Sequence, residues 1–134
     1  MFRLNYIYKR EPMSPPPHVI TTMSKDEFKT HLEKNKGAVI LKFGAEWCGP
    51  CKQIETLVYS WMGKMSENVL CASLDIDEES NFDLYAFLKS KRMVNGVPVI
   101  LCYLQGNVTW IPNTVIVGAH PVEINKLFES CGKL

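Results

Sequence analysis

No charge of one sign dominates this chain of 134 residues, in which 15 lysines and arginines face 14 aspartates and glutamates for a formal net charge of +1. With no basic block standing out of that mixture, neither a nucleic-acid backbone nor an anionic membrane surface has an electrostatic reason to bind. Long hydrophobic runs are missing too: no apolar stretch approaches the ~20 residues that a helix needs to cross a bilayer. The first ten residues are broken by Arg3 and Asn5 and lack a long apolar core followed by a small-residue cleavage site, so they do not read as a secretory leader. A short organelle address there stays open, and a cytoplasmic place is the expectation. Cysteine is sparse and odd in number. Of 5 cysteines only Cys48 and Cys51 are spaced as a pair, which argues against a secreted disulfide scaffold and for a reducing compartment.

What is present is organised around residues 38–52, Ala-Val-Ile-Leu-Lys-Phe-Gly-Ala-Glu-Trp-Cys-Gly-Pro-Cys-Lys. The nearly unbroken apolar run at 38–43 has the length and β-branched content of a strand buried on both faces. It leads into Cys48-Gly49-Pro50-Cys51 and then a helical pattern. Two cysteines at the start of a helix have a physical reason to react. The free N–H groups and positive dipole end favour a thiolate on Cys48, Pro50 fits a first turn that needs no N–H from it, and Cys51 lies one turn on, placed to close a short ring. Such a pair is a reversible two-electron switch. The alternative for the same spacing is half of a metal site. Zinc would need two further ligands, and the other cysteines with His18, His31 and His120 show no matching spacing; an iron–sulfur cluster held between two chains stays open.

The chain is long enough to bury roughly two-thirds of its unfolded surface as one domain without staples. Residues 1–18, with Pro12, Pro15, Pro16 and Pro17, read as a flexible Pro-rich extension ahead of a domain at 19–134. A short first strand is expected at 19–22. Ser24 with Glu27 makes a capping-box pattern for a helix carrying Phe28 and Leu32, stopped by Gly37. After the cysteines, Ile54, Leu57, Val58, Trp61, Met62 and Met65 recur at three and four residues, which gives that helix one broad buried face. Residues 69–76 read as a strand parallel to the first across a right-handed crossover, and 78–93 as a helix. Two apolar runs, 99–104 and 108–117, flank Gln105-Gly106-Asn107, a hairpin signal, and Pro112-Asn113 interrupts the second. Trp110 and Ile111 there either fold onto the sheet or meet a partner. Pro121 opens a last helix with Val122, Ile124, Leu127 and Phe128 inward, ended by Gly132. Cys71 and Cys102 fall in strands as small buried hydrophobes, whereas Cys131 is expected at the surface, open to an adventitious intermolecular disulfide.

Trp47-Cys48-Gly49-Pro50-Cys51-Lys52 after a buried strand resembles the active site of the thioredoxin family. Gly96-Val97-Pro98 and Val117-Gly118-Ala119 resemble that family's two other substrate-groove elements, in the family's order. The resemblance runs from Val19 to the C-terminus and implies an α/β thioredoxin fold, a mixed central sheet with helices on both faces. It implies a thiol–disulfide oxidoreductase working in electron transport and cell redox homeostasis. In that chemistry Cys48 attacks a protein disulfide, Cys51 resolves the mixed disulfide, and the oxidised pair is recharged from NADPH by a thioredoxin reductase, with no cofactor bound to this chain. A monomer is expected. Gly49 and Pro50 match the reducing members, with a potential near about −270 mV, better than the oxidases and isomerases that often place a histidine there. Pro98 matches the family's cis-proline, after Val97, whose backbone would meet an extended substrate, and Trp47, Ile76, Gly118 and Ala119 complete the groove.

Several positions depart from the family pattern. Lys42 stands where the family has a buried acid that manages the proton of the resolving cysteine, and Ser73 where a lysine often pairs with that acid. A charged Lys42 would stabilise thiolates and make the couple more oxidising; a desolvated neutral Lys42 could itself accept the proton; or its ammonium could snorkel to solvent past Gly44. Thr56 replaces a kinking proline, which implies a straighter helix. The connection from Asp77 to Gly96 is longer than usual by about six residues, more than one and a half helical turns. Two further functions stay open: a protein disulfide oxidase or isomerase, suggested by Lys42, and a non-catalytic adaptor using the lengthened elements, which would need neither thiol.

Overall fold

The computed structural model describes residues 13–134, so Pro12, the leader reading and most of the Pro-rich extension lie outside the described residues. Among these are four helices, α1 (Lys25–Glu33), α2 (Gly49–Met62), α3 (Glu79–Ser90) and α4 (Pro121–Cys131). The strands are β1 (Ala38–Gly44), β2 (Val69–Asp75), β3 (Val99–Leu104) and β4 (Thr114–Val117). They form one mixed sheet in the order β2-β1-β3-β4, with β1 parallel to β2 and antiparallel to β3, and β4 antiparallel to β3.

All seven residues of β1 are buried, because strands flank it and helices cover both its faces. Side chains alternate across a strand, so the apolar run divides between two cores. Ala38 and Ile40 join Ile54, Val58 and Met62 of α2 and Ile124, Leu127 and Phe128 of α4. Val39, Leu41 and Phe43 join Phe28 and Leu32 of α1 and Leu84 and Leu88 of α3. The thioredoxin fold expected from the resemblance is the fold observed. The capping box of α1 is formed: Ser24 Oγ accepts the Glu27 N–H at 3.1 Å, and Glu27 Oε1 accepts the Ser24 N–H at 2.8 Å.

Several local expectations are corrected. Residues 19–22 do not make a strand; one residue, Ile20, bridges β2 at Ala72. Helix α1 ends at Glu33, before Gly37, and the Asn35 amide bridges the Tyr103 carbonyl and the Gly37 N–H. Gly37 serves a close approach instead, since a Cβ there would lie 2.7 Å from the Asn68 carbonyl oxygen. Helix α3 stops at Ser90 rather than Met93. Arg92 turns left-handed at φ 63°, and the Met93 N–H reaches back to the Leu88 carbonyl at 2.9 Å, a helix stop without the usual glycine. In the second apolar run only Thr114–Val117 is strand. Residues 108–113 instead wrap around the side chains of Asn107 and Asn113, with the Trp110 ring edge-on to Phe87 of α3 and Ile111 exposed. Val122, expected inward on α4, faces solvent at 64% exposure.

Residues 13–18 lie along the outer side of α2. His18 Nε2 donates to the Met62 carbonyl at 2.9 Å, and Pro16 sits against Gly63. Asn81, fully buried on α3, joins three segments: it accepts the Met23 N–H at 2.8 Å and donates to the carbonyls of Thr21 at 3.2 Å and Asp75 at 3.1 Å. Asn81→Ala leaves these groups buried without partners and is expected to cost about 3 kcal/mol in urea unfolding; a loss under about 0.5 kcal/mol would mean that water replaces the amide.

Candidate active site

The C-terminal end of β1 leads through Ala45, Glu46 and Trp47 to Cys48, the N-cap of α2. Cys48 has an extended backbone, and its sulfur accepts the Cys51 N–H at 3.2 Å, taking the place a serine or aspartate oxygen holds in an ordinary cap. Gly49 and Pro50 fill the first turn, exposed, where no intrahelical N–H is needed. Cys48 and Cys51 are joined as a disulfide, with their Cα atoms 5.3 Å apart. Both are nearly covered, while the Trp47 ring beside them is 68% exposed.

Residues distant in sequence converge on this pair. The Val97–Pro98 peptide is cis, as the resemblance implies, and the Val97 carbonyl oxygen lies 3.7 Å from the Cys48 sulfur. Val97 and Ile76 pack against Ala45, Cys48 and Cys51. Gly118, at φ 89° where a side chain would be strained, donates its N–H to the Pro98 carbonyl at 2.9 Å and so ties the loop before α4 to the proline loop. Ala119, half-buried beside it, also packs against the core between the sheet and α2 with α4. Two supports were invisible in the sequence pattern. The Trp47 indole donates to Asp77 Oδ2 at 2.7 Å, and the Tyr85 hydroxyl of α3 holds Gly96 by both its N–H, at 2.9 Å, and its carbonyl, at 3.3 Å. Their sequence separations, 30 and 11 residues, match no local motif.

Behind the pair lies a cleft of about 700 Å³ whose lining includes Lys42, Cys51, Glu55, Tyr59 and Ser73, with Met13 and Pro15 of the N-terminal segment at its side. Lys42 is buried, with 4% of its surface exposed, and its Nζ stands 5.2 Å from the centre of the Tyr59 ring. Its tip ends in this cleft instead of extending freely into solvent. A methyl group added to Gly44 would sit 3.5 Å from the Cys51 sulfur and 3.7 Å from Lys42 Nζ, so only the bare glycine separates lysine from resolving thiol. Burial pulls the Lys42 pKa below the ordinary lysine value, and Glu55 partly offsets this. Burial also raises the Tyr59 phenol, against the opposing hydrogen bond from Ser73. Glu55 carried no signal in the sequence beyond its place on α2.

The lowered pKa fixes the sign of a stability effect. Burial makes the protonated form of Lys42 costlier in the folded chain than in the unfolded one. As pH rises from the depressed folded value toward the unfolded one, the folded chain sheds that proton first and the cost disappears. Lys42→Met is therefore expected to stabilise the protein by about 1 kcal/mol at pH 7, with the gain shrinking as pH climbs into the alkaline range. Urea midpoints of both proteins across pH check this, and a gain independent of pH would assign the effect to packing.

The thioredoxin family profile matches residues 19–129. The chain is 29% identical over 107 residues to thioredoxin-2 of Saccharomyces cerevisiae, covering 80% of this chain and 92% of that one. It is 30% identical over 107 residues to thioredoxin of Rhodospirillum rubrum, covering 80% and 91%. The solved thioredoxin NaTrxh of Nicotiana alata superimposes with a TM-score of 0.66 over 90% of this chain and 97% of that one, at 24% identity, which bears on the fold. With the cysteine pair at the head of α2, and the match running over most of its length, the chain belongs to the thioredoxin family.

Proposed function

We propose that Cys48 is the attacking thiol and Cys51 the resolving thiol of the protein-disulfide reduction that this thioredoxin-family chain performs. The observation that carries this assignment is the place of Cys48 at the N-cap of α2, beside the Val97 carbonyl, with Cys51 one turn behind it and buried. The Cys48 thiolate attacks one sulfur of a target disulfide, whose S–S bond breaks and whose departing sulfur takes a proton. Cys51, once deprotonated, attacks Cys48, frees the second target sulfur and closes the Cys48–Cys51 disulfide. The target gains two electrons and two protons, and the pair loses them. Val97, Pro98, Gly118 and Ala119, with Trp47 and Ile76, form the proposed substrate groove, in which backbone groups tolerate many sequences.

The proposed source of electrons is NADPH, through a thioredoxin reductase, with the chain acting as a cytoplasmic monomer. Among the described residues no helix is long and apolar enough to cross a membrane. Lys42 is the proposed tuning residue. Next to Cys51 its positive charge would stabilise the reduced, thiolate form and make the couple more oxidising than an uncharged side chain would. That favours a second reading, a disulfide oxidase or isomerase, to the extent that the potential is raised.

NADPH oxidation in the presence of a thioredoxin reductase and insulin tests the assignment. The wild type is expected to turn over and Cys48→Ser to fall to background. A wild-type disulfide that a glutathione buffer readily reduces, in a protein that turns over nothing with the reductase, would support the oxidase instead. Lys42→Met is expected to move the potential of the pair about 20 mV more negative, read by equilibration with glutathione; an unchanged value removes Lys42 from redox tuning.

A further inference from the structure

A second pair of sulfurs is in contact elsewhere in the molecule. Cys131 is not at the surface, as its position near the C-terminus suggested; it is the last residue of α4 and is buried, 2% exposed. Its sulfur stands 3.9 Å from that of Cys102, which lies within β3 and is 1% exposed. Cys71 of β2 belongs to the same core, on the sheet face covered by α2 and α4.

We propose that Cys102 and Cys131 are a second oxidisable dithiol, converted by a hydroperoxide into an internal disulfide independent of the Cys48–Cys51 pair. A disulfide bond is about 2.05 Å long, so the sulfurs must approach by a little under 2 Å. One partner can move: Cys131 is the last residue of α4, and the last turn of a helix frays and shifts more readily than a strand inside a sheet. The same fraying admits a small oxidant to a sulfur that the static fold covers.

The environments of the three thiols give them different roles. The hydrogen bond between Cys102 and Cys131 raises Cys102 and lowers Cys131 from their ordinary values; burial raises both, and a hydrogen bond from Ser130 lowers Cys131 further, which makes Cys131 the thiolate partner. Burial pushes the Cys71 thiol up to about 12, which leaves it a bystander. The Cys131 thiolate attacks one oxygen of the hydroperoxide; the O–O bond breaks, an S–O bond forms, and the other oxygen departs as hydroxide or alkoxide and takes a proton. The Cys102 sulfur then attacks Cys131. An S–S bond forms, the S–O bond breaks, and the departing hydroxide leaves as water with the Cys102 proton. Two thiols have lost two electrons and two protons to one hydroperoxide.

The bond would join elements that bear on the substrate groove. Strand β3 starts directly after Pro98, and α4 starts three residues after Gly118. Closure would tie them at positions 29 residues apart in sequence, away from the groove.

The Cys48→Ser/Cys51→Ser double variant leaves Cys71, Cys102 and Cys131 as its thiols. After treatment with hydrogen peroxide, alkylation in denaturant and peptide mass mapping, the expected result is one free thiol, Cys71, and a linked Cys102–Cys131 peptide in a monomer. Dithiothreitol should restore all three thiols, and the linked form should melt about 5 °C higher than the reduced form. The wild type, whose fold no substitution has touched, should yield the same linked peptide. Three thiols persisting under peroxide that fully oxidises Cys48 and Cys51 of the wild type would overturn the proposal. So would a dimer bridged through Cys131, or over-oxidation of Cys131 with Cys102 still free.

Discussion

Strand β1 is buried along its whole length, and the remaining architecture follows from how such a strand can be accommodated. Its backbone polar groups have no access to water, so they must be satisfied by neighbours on both edges, which β2 and β3 supply in register from Ala38 onward. Its two faces each need an apolar cover, which α2 with α4 and α1 with α3 provide. A strand enclosed in this way exposes chemistry only where it ends. The reactive pair therefore stands just past its C-terminal end, where the chain turns into α2 and presents unpaired N–H groups to the Cys48 sulfur. The same enclosure makes Lys42 expensive. By alternation Lys42 shares the face of Ala38 and Ile40, the face that α2 covers, so its ammonium has nowhere to go but the cleft beside Cys51, Glu55 and Tyr59.

The parts of this arrangement that could be read from the sequence are those encoded locally. The apolar run of β1, the capping box at Ser24 and Glu27 and the period of Ile54, Val58 and Met62 each state their structure within a few residues. The cysteine pair and the Val97–Pro98 and Gly118 loops were legible through family resemblance, and the structure brings all three together. What stayed hidden is encoded by contact across the fold. The left-handed turn at Arg92 ends α3 without glycine, and the chain at 108–113 abandons its strand because two asparagine side chains replace ladder partners. Tyr85, Asp77 and Glu55 act on the site from residues whose local surroundings look like any solvent-facing helix or loop. Cys131 was misplaced because nearness to a chain end suggests exposure, whereas the last turn of α4 folds its sulfur toward β3.

Two thiol pairs in one layer of the molecule show how strongly placement decides reactivity. Both lie on the α2–α4 side of the sheet. Cys48 caps the start of α2, where the helix dipole and the Cys51 N–H favour a thiolate. Cys131 closes the end of α4, where the dipole points the other way and opposes negative charge, and the hydrogen bonds of Cys102 and Ser130 offset that. Access differs in the same sense. Cys48 stands beside the Val97 carbonyl of the proline loop and the exposed Trp47, while Cys131 faces the core and can be reached only by something small. The first pair is thus suited to attack a protein disulfide, and the second is excluded from such exchange and left to direct oxidation. Identical functional groups come to serve as a nucleophile and as an oxidant-responsive staple, divided by which end of a helix holds the sulfur and by what can reach it.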